Sequence, residues 1–370
     1  MLEYKNIITY IFAIGVSQAI FLFFILWKKK ENKFANKFLA ATMLVFAVDL
    51  LGGIFYLTGY IKYLPWFMGL NNSFPYLYGP LIYLYVIFLI HKQEQFKWKN
   101  IIHFIPFILT QIYGLLFFYF ESPEYQMSML DFSKKPPWHI AIVGSLIPFV
   151  GIFYMVLTVI VTVDYNKKLR NKFSNIEKID LSWLLYLVYG TVVIWTIVIF
   201  TYLLGIIYGD SFQSNLLIYI TISIFLYTFA IKSYRQPETI TINDESDQYK
   251  KSGLTELKAD EYLKKLIDIM QNEKPYLDTR LSLYNLAEKV GISTHNLSEI
   301  INMKLEKNFY DFINSYRVEE VKKIIDEDKE NKFNLLAHGL NAGFSSKSAY
   351  YSAFKKFTGI TPLQYKNKPN

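Results

Sequence analysis

Two short polar faces hold the residues of this 370-residue chain whose types and spacing suit molecular recognition. His295, Ser298, Glu299 and Asn302 fall together on one side of a helix, and so do Lys347, Ser348, Tyr351 and Ser352, because residues three and four apart share a helical face. Such groups make directional hydrogen bonds to a partner; a lysine, for example, can bond a guanine edge in the major groove of DNA. Each face follows a turn signal. In Leu281-Ser282-Leu283-Tyr284-Asn285-Leu286-Ala287-Glu288-Lys289-Val290-Gly291-Ile292-Ser293, a short amphipathic helix ends in glycine, and a serine then caps the next helix, which starts at Thr294. That next helix turns Leu297, Ile300 and Ile301 inward. Phe333 to Ser345 repeats the pattern: a helix, Gly343, then Ser345 as cap. The second reading helix then starts at Ser346, with Tyr350, Ala353, Phe354 and Phe357 inward. Helix, tight turn and second helix make the helix-turn-helix unit, whose second helix can enter the major groove. Gly359-Ile360-Thr361-Pro362 stops the last helix.

The elements that must position these faces are legible from periodicity. Phe309 to about Asp326 reads as one long helix between the two units, with Phe312, Ile313, Tyr316, Val318, Val321, Ile324 and Ile325 apolar. Thr255 to Ile269 is a further helix ahead of the first unit. One such match occurs by chance in many helical bundles, whereas two in tandem with a bridging helix form a specific pattern. The charge is uneven. Residues 254–330 carry 12 basic and 16 acidic side chains, while residues 331–370 carry six lysines and no acid. The second unit should therefore supply more of any phosphate attraction.

The rest of the chain has a different composition. Apolar residues make up 52 % of the whole and aromatics 18 %, and the excess lies before about residue 231. Seven stretches there are long enough for a hydrocarbon core of roughly 30 Å: 6–27, 38–60, 72–91, 101–120, 138–163, 183–207 and 215–231. Lys28, Lys29 and Lys30 follow the first stretch rather than precede it, so it does not read as a cleavable signal peptide. Loops after spans one, three and five hold 13 basic residues; the opposite loops hold three. The positive-inside rule then puts the N-terminus outside and the C-terminal part in the cytoplasm of a bacterial cytoplasmic membrane. Residues 232–253 are a polar, charge-balanced tether, able to span about 25 Å.

Ionisable groups within spans are functional suspects. Asp49 is the only acid deep inside one, and Gln18 and Gln111 complete a possible intramembrane polar site. The plain alternative for all three, and for His103, is hydrogen bonding that holds helices together. Pro75 and Pro80 open span three and signal a kink. The chain has no cysteine, which excludes disulfides, thiolate nucleophiles and thiolate metal sites.

The C-terminal pattern resembles the two-unit DNA-binding domain of the AraC/XylS family of transcription regulators. The resemblance covers about 260–367 and rests on Leu286-Ala287, Gly291-Ile292-Ser293, Leu297-Ser298, Arg317-Val318, the run from Gly343 to Pro362, and Tyr365. Leu77-Tyr78-Gly79-Pro80 and His103-Phe104-Ile105-Pro106-Phe107 are similar to segments of multi-span members of that family. The resemblance implies an all-α architecture: a seven-helix transmembrane bundle over 1–231, the linker 232–253, and a cytoplasmic tandem helix-turn-helix domain over 254–370 with units at about 283–303 and 333–357. It implies base contacts by His295, Ser298, Glu299, Lys347, Ser348, Tyr351 and Ser352. It also implies phosphate contacts by Lys304, Lys355 and Lys356. Three positions depart from the family pattern: His338 stands where an apolar residue is usual, Gly339 where alanine is, and Glu299 where a basic or amide base reader often stands. Glycine costs about 1 kcal/mol against alanine in a helix, so the helix around Gly339 should be loose or the second unit packed differently.

The expected function is a membrane-embedded, non-enzymatic transcription regulator without cofactor or metal. Its expected partners are double-stranded DNA, the bilayer, a small, lipidic or membrane-protein signal, and a second copy of the chain in a homodimer. A sensor kinase is disfavoured because the 17 glycines do not cluster into a phosphate-cradling loop. A transporter with a lipid-binding tail is disfavoured because lipid binding needs charge and not two defined turns.

Overall fold

The computed structural model describes residues 2–92, 95–129, 137–176, 182–208, 217–226, 255–328 and 334–367. Helix dominates: among the described residues the sole extended pairing is an isolated antiparallel bridge between Phe173 and Ser282. The chain divides into two compact units. One comprises Met1–Val163 and Leu181–Thr241, the other Asp164–Asp180 and Ile242–Asn370. The tether 232–253 lies outside the described residues.

The first unit is built from near-continuous apolar helices: α1 (Leu2–Lys28), α2 (Lys33–Thr58), α3 (Trp66–Asn71), α4 (Pro75–His91), α5 (Ile105–Phe117), α6 (Pro123–Ser128), the first part of α7 (Trp138–Lys172), α8 (Ser182–Tyr208) and α9 (Leu217–Leu226). Gly59, at φ +80°, ends α2. α1 packs along α2, and α2 along α4. Phe12, Leu39, Phe46, Leu50 and Tyr85 are fully buried. The outer surface is as apolar as the core: Phe21, Leu116 and Phe149 are each more than 60 % exposed. A water-soluble protein rarely displays so extensive an apolar surface.

Among the described residues, five helical segments are long and apolar enough to cross a membrane: Lys5–Lys28, Lys33–Thr58, Trp66–His91, Trp98–Phe117 and Trp138–Lys172. They coincide with the first five expected spans. The sixth expected span falls on α8, a 27-residue helix whose apolar part among the described side chains is Val188–Thr201. The seventh falls on α9, and the rest of that stretch lies outside the described residues.

Pro75 sits in the first turn of α4 and Pro80 inside it. Neighbouring Gly79 brings Tyr154 of α7 close; a Cβ there would lie 2.7 Å from that of Tyr154. Asp49 is buried and accepts a hydrogen bond from the Tyr78 hydroxyl. Gln111 donates to the Ser73 hydroxyl and accepts from Tyr119, 2.9 Å away. Gln18 is half-buried on α1 and joins neither group. Among the described residues Asp49, Gln18 and Gln111 have different hydrogen-bond partners where these are seen. Asp49 and Gln111 each bond to a neighbouring helix or loop, as the helix-holding alternative requires.

The second unit contains α10 (Glu256–Asn272), α11 (Leu283–Val290), α12 (Thr294–Leu305), α13 (Phe309–Glu327), α14 (Leu335–Asn341), α15 (Lys347–Thr358) and α16 (Pro362–Lys366). It has two cores that share α13. Phe309, Phe312 and Ile313 pack with Leu266, Met270, Leu286, Val290, Leu297 and Ile301. Val318, Val321 and Ile325 pack with Phe344, Tyr350 and Phe354. The unit also includes Asp164–Asp180, which the sequence had grouped with the spans.

Candidate nucleic-acid interface

Each reading helix is fixed by the chemistry of the turn before it. Ser282 caps α11 by accepting from the Asn285 amide at 3.2 Å, and Gly291 ends it at φ +78°. Ser293 then caps α12, accepting from the Asn296 amide at 3.1 Å. In the second unit Asn334 caps α14 at 2.8 Å from the Ala337 amide. Gly343 turns the chain at φ +91°. The cap of α15 is Ser346, accepting from the Ala349 amide at 3.1 Å, one residue later than expected; the helix starts at Lys347. Thr361 and Gln364 form a reciprocal capping box that sets α16 against the end of α15.

These turns leave the expected residues on the outer faces of α12 and α15, in two different states of readiness. On α12, His295 is half exposed and its Nε2 lies 4.0 Å from Glu299 Oε2. Asn302 donates to the Ser298 carbonyl at 2.8 Å and to its hydroxyl at 3.2 Å. On this face Asn302 and Ser298 are therefore already bonded to each other, whereas Glu299 Oε2 accepts no hydrogen bond among the described residues. On α15, Lys347, Ser348 and Ser352 are exposed. Tyr351 is half-buried against the second core, and the Lys347 ammonium lies over its ring at 5.4 Å. That contact holds a long, flexible side chain over an aromatic face.

The three expected phosphate-binding lysines also differ. Lys304 pairs with Asp260 at 2.9 Å and Glu256 at 3.5 Å. The hydrogen-bonded Asp260 carboxylate, with Glu256 beside it, holds its ammonium above the usual range. Lys356 pairs with Asp311 at 2.6 Å. Lys355 is exposed at the C-terminal turn of α15.

The two departures from the expected pattern in α14 have specific partners. The His338 side chain is fully buried, and its Nε2 lies 2.9 Å from Asp328 Oδ2 at the end of α13. Gly339 lies under the Tyr350 ring; a Cβ there would come 2.5 Å from it. Close packing, not looseness, explains this glycine.

Sequence reasoning overlooked the part played by Arg317. Its guanidinium is 1 % exposed, at the middle of α13. Nε donates to Tyr276 O at 2.8 Å, and Nη2 to Asp278 O at 2.9 Å and to Ser174 Oγ at 3.3 Å. Nη1 donates to Ser174 O at 3.1 Å and Asn314 Oδ1 at 3.2 Å. The acceptors are carbonyl, amide and hydroxyl oxygens. Burial pulls the guanidinium down to about 10, partly offset by Tyr310 and Asp278, so it remains charged at neutral pH. The available signal was an arginine between Ile313 and Val321, each one turn away on an apolar face.

Comparisons with known proteins bear on this region. Residues 286–368 match the family model described as a helix-turn-helix domain. The melibiose operon regulatory protein of Escherichia coli (strain K12) is 26 % identical over 146 residues, 39 % of this chain and 44 % of that protein. An uncharacterized HTH-type transcriptional regulator of Staphylococcus aureus (strain COL) is 36 % identical over 86 residues, 23 % of this chain and 11 % of that protein. The solved structure of a protein of unknown function from Listeria innocua overlaps 28 % of this chain and 93 % of its own, at 24 % identity and a TM-score of 0.25. The chain spans less than half the length of these curated relatives. Its C-terminal part carries a helix-turn-helix domain.

Proposed function

We propose that this chain is a membrane-bound, sequence-specific transcription regulator that couples a signal at the membrane to gene expression. The observation that carries the reading is the shared helix α13: one chain holds two capped reading helices on cores joined by it. A rigid α13 would let a single chain reach two successive major grooves, about 34 Å apart. Five long apolar helices with exposed apolar surfaces support insertion in a bilayer. The basic bias of alternate loops supports seven spans, an outside N-terminus and a cytoplasmic C-terminal part.

In this reading Lys347, Ser348, Tyr351 and Ser352 read bases from α15, and His295, Ser298 and Glu299 from α12. Lys355 meets a phosphate directly. Lys304 and Lys356 do so by exchanging Asp260 and Asp311 for phosphate. The signal is small, lipidic or another membrane protein, and pairing of two copies would raise local concentration at adjacent sites. Genome-wide immunoprecipitation of the full-length chain tests the reading. Discrete peaks sharing a two-part motif are expected; a flat profile under all growth conditions overturns it.

A further inference from the structure

Arg317 is the meeting point of three pieces of chain. Tyr276 and Asp278, which precede the first helix-turn-helix unit, supply two carbonyls. Phe344, from the turn of the second unit, lies under the guanidinium at 5.9 Å. The third piece comes from far away in sequence. Ser174, just past the end of α7, presents both its carbonyl and its hydroxyl to Arg317. The same residue is tied to the start of the first unit: its amide donates to Leu281 O at 3.3 Å and its hydroxyl lies 2.5 Å from that oxygen. Phe173 pairs with Ser282, the cap of α11. Arg170 adds a contact over the Tyr310 ring of α13 at 5.8 Å. Ser174 is 2 % exposed, so this is an inserted residue and not a surface touch.

The turn of the second helix-turn-helix unit also meets the segment that leads into the first at this junction. A Cβ on Gly343 would strike the Tyr276 carbonyl and lie 2.9 Å from Leu277 Cα. The 276–278 segment, the Gly343-Phe344 turn and Arg317 therefore define how one unit is seated on the other. A buried guanidinium has five N–H groups to satisfy, and losing acceptors leaves an uncompensated charge. Two of the five bonds made by Arg317 end on Ser174.

We propose that Ser174 is a positioning residue for DNA reading: docked on Arg317, Leu281 and Ser282, it sets the seating of the two helix-turn-helix units, and movement of α7 reaches the DNA-binding face through it. This rests on the regulator reading and names its coupling point. α7 is one helix from Trp138 to Lys172, roughly 52 Å long at 1.5 Å per residue. Its apolar part is long enough to cross a hydrocarbon core of roughly 30 Å, and its last turns, from Asp164, belong with the DNA-binding unit. A shift or rotation of that helix changes the position of Ser174 directly. Arg317 must then find other acceptors, and the Tyr276–Asp278 segment that it holds is the one on which Gly343 rests.

The absence of native cysteine makes the test clean. The full-length chain, in nanodiscs of phosphatidylethanolamine and phosphatidylglycerol, carries spin labels at Glu288→Cys on α11 and Leu363→Cys on α16, both exposed and off the reading faces. Ser174→Pro removes the amide and the hydroxyl; Ser174→Thr keeps both. Electron–electron distance measurement should give one narrow distribution for the parent and Ser174→Thr, and a broadened or displaced one for Ser174→Pro. Unlabelled chains should show the affinity gain of a two-half-site duplex over a single half-site fall about tenfold in Ser174→Pro, the effect of roughly one lost hydrogen bond to a charged group. Single half-site affinity should hold, and Ser174→Thr should behave as the parent. Unchanged distances and an unchanged gain in Ser174→Pro overturn the proposal. Should Ser174→Pro not fold, the pair Phe173→Cys and Ser282→Cys decides: oxidation should join them readily and narrow the distribution, and failure to cross-link overturns the docking. A chain that binds no duplex fails the regulator reading, while the distance measurement still decides this one.

Discussion

Gly343→Ala is the substitution that most directly probes how the two units are held. Three glycines of the DNA-binding unit have left-handed backbones: Gly291 at φ +78°, Gly343 at +91° and Gly359 at +78°. Alanine pays the same local penalty at each, about 1–2 kcal/mol, partly offset by a stiffer unfolded chain. What differs is the surroundings. Around Gly359 a Cβ meets nothing within 4 Å, and around Gly291 it meets only the end of Lys265, at 3.5 Å. At Gly343 it meets backbone: Leu277 Cα and O at 2.9 Å, and the Tyr276 carbonyl closer still. Backbone cannot swing away as a side chain can, so an overpacking cost of about 1–3 kcal/mol is added. Hydrogen exchange of the full-length chain in nanodiscs reads this locally. Peptides from 334–358 and 275–290 should both lose protection in Gly343→Ala, by at least about fivefold more than in Gly359→Ala, since 1 kcal/mol is a factor of about five. Equal losses in the two variants, or a loss confined to 334–358, would refute the direct seating of one unit on the other.

Four further outcomes are expected. Lys347→Ala should relax base preference at one position of the bound site, whereas Lys355→Ala should weaken all sequences alike and reduce the salt slope by about one; competition binding at several salt concentrations separates them. Gly339→Ala should destabilise the second unit by about 1–3 kcal/mol, because the new methyl meets the Tyr350 ring at 2.5 Å, and trimming that ring with Tyr350→Leu should recover part of the loss in a thermal melt. Asp49→Asn should keep the hydrogen bond from Tyr78 and insert normally, while Asp49→Leu should leave the buried Tyr78 hydroxyl unpaired and lower expression in the membrane. Cysteine placed at Ser128 should react with an impermeant reagent applied from outside and cysteine at Ser252 should not; the reverse pattern removes access to DNA.

Much of this architecture was written locally. Gly291 and Ser293 announce one turn, Gly343 and the neighbouring serines the other, because a left-handed residue and a side-chain cap are short-range requirements. The cap of α15 is Ser346 and not Ser345, a choice between two adjacent serines that local pattern alone does not resolve. The length and inner face of α13 follow from periodicity. What was hidden depends on contacts across long stretches of sequence. Gly339 reads as a weak helix former until Tyr350 is seen against it. Lys304 and Lys356 read as free cations until Asp260 and Asp311 arrive from other helices. Ser174 is an unremarked loop residue in sequence, and its bonds to Arg317 reach across 143 positions. No periodicity links them.

The two reading helices differ in what they bring to DNA, and in the proposed reading this bears on why the domain would be attached to a membrane helix. On α12, Ser298 already accepts from Asn302, Glu299 lies near His295, and Lys304 is neutralised twice. Binding there exchanges existing bonds for new ones, so the net gain per contact is small. On α15, Lys347 and Lys355 point outward in a segment, 331–370, with six lysines and no acid. Most affinity should then come from the second unit, with the first adding discrimination only when its helix is presented at the correct angle. With a net charge of +2 over 254–370, free binding should be weak at physiological salt. A weak reader whose second contact depends on seating is the kind of element a small bias can switch. Population shift needs only a few kcal/mol of difference between two seatings, and the acceptors Ser174 gives to Arg317 are of that order.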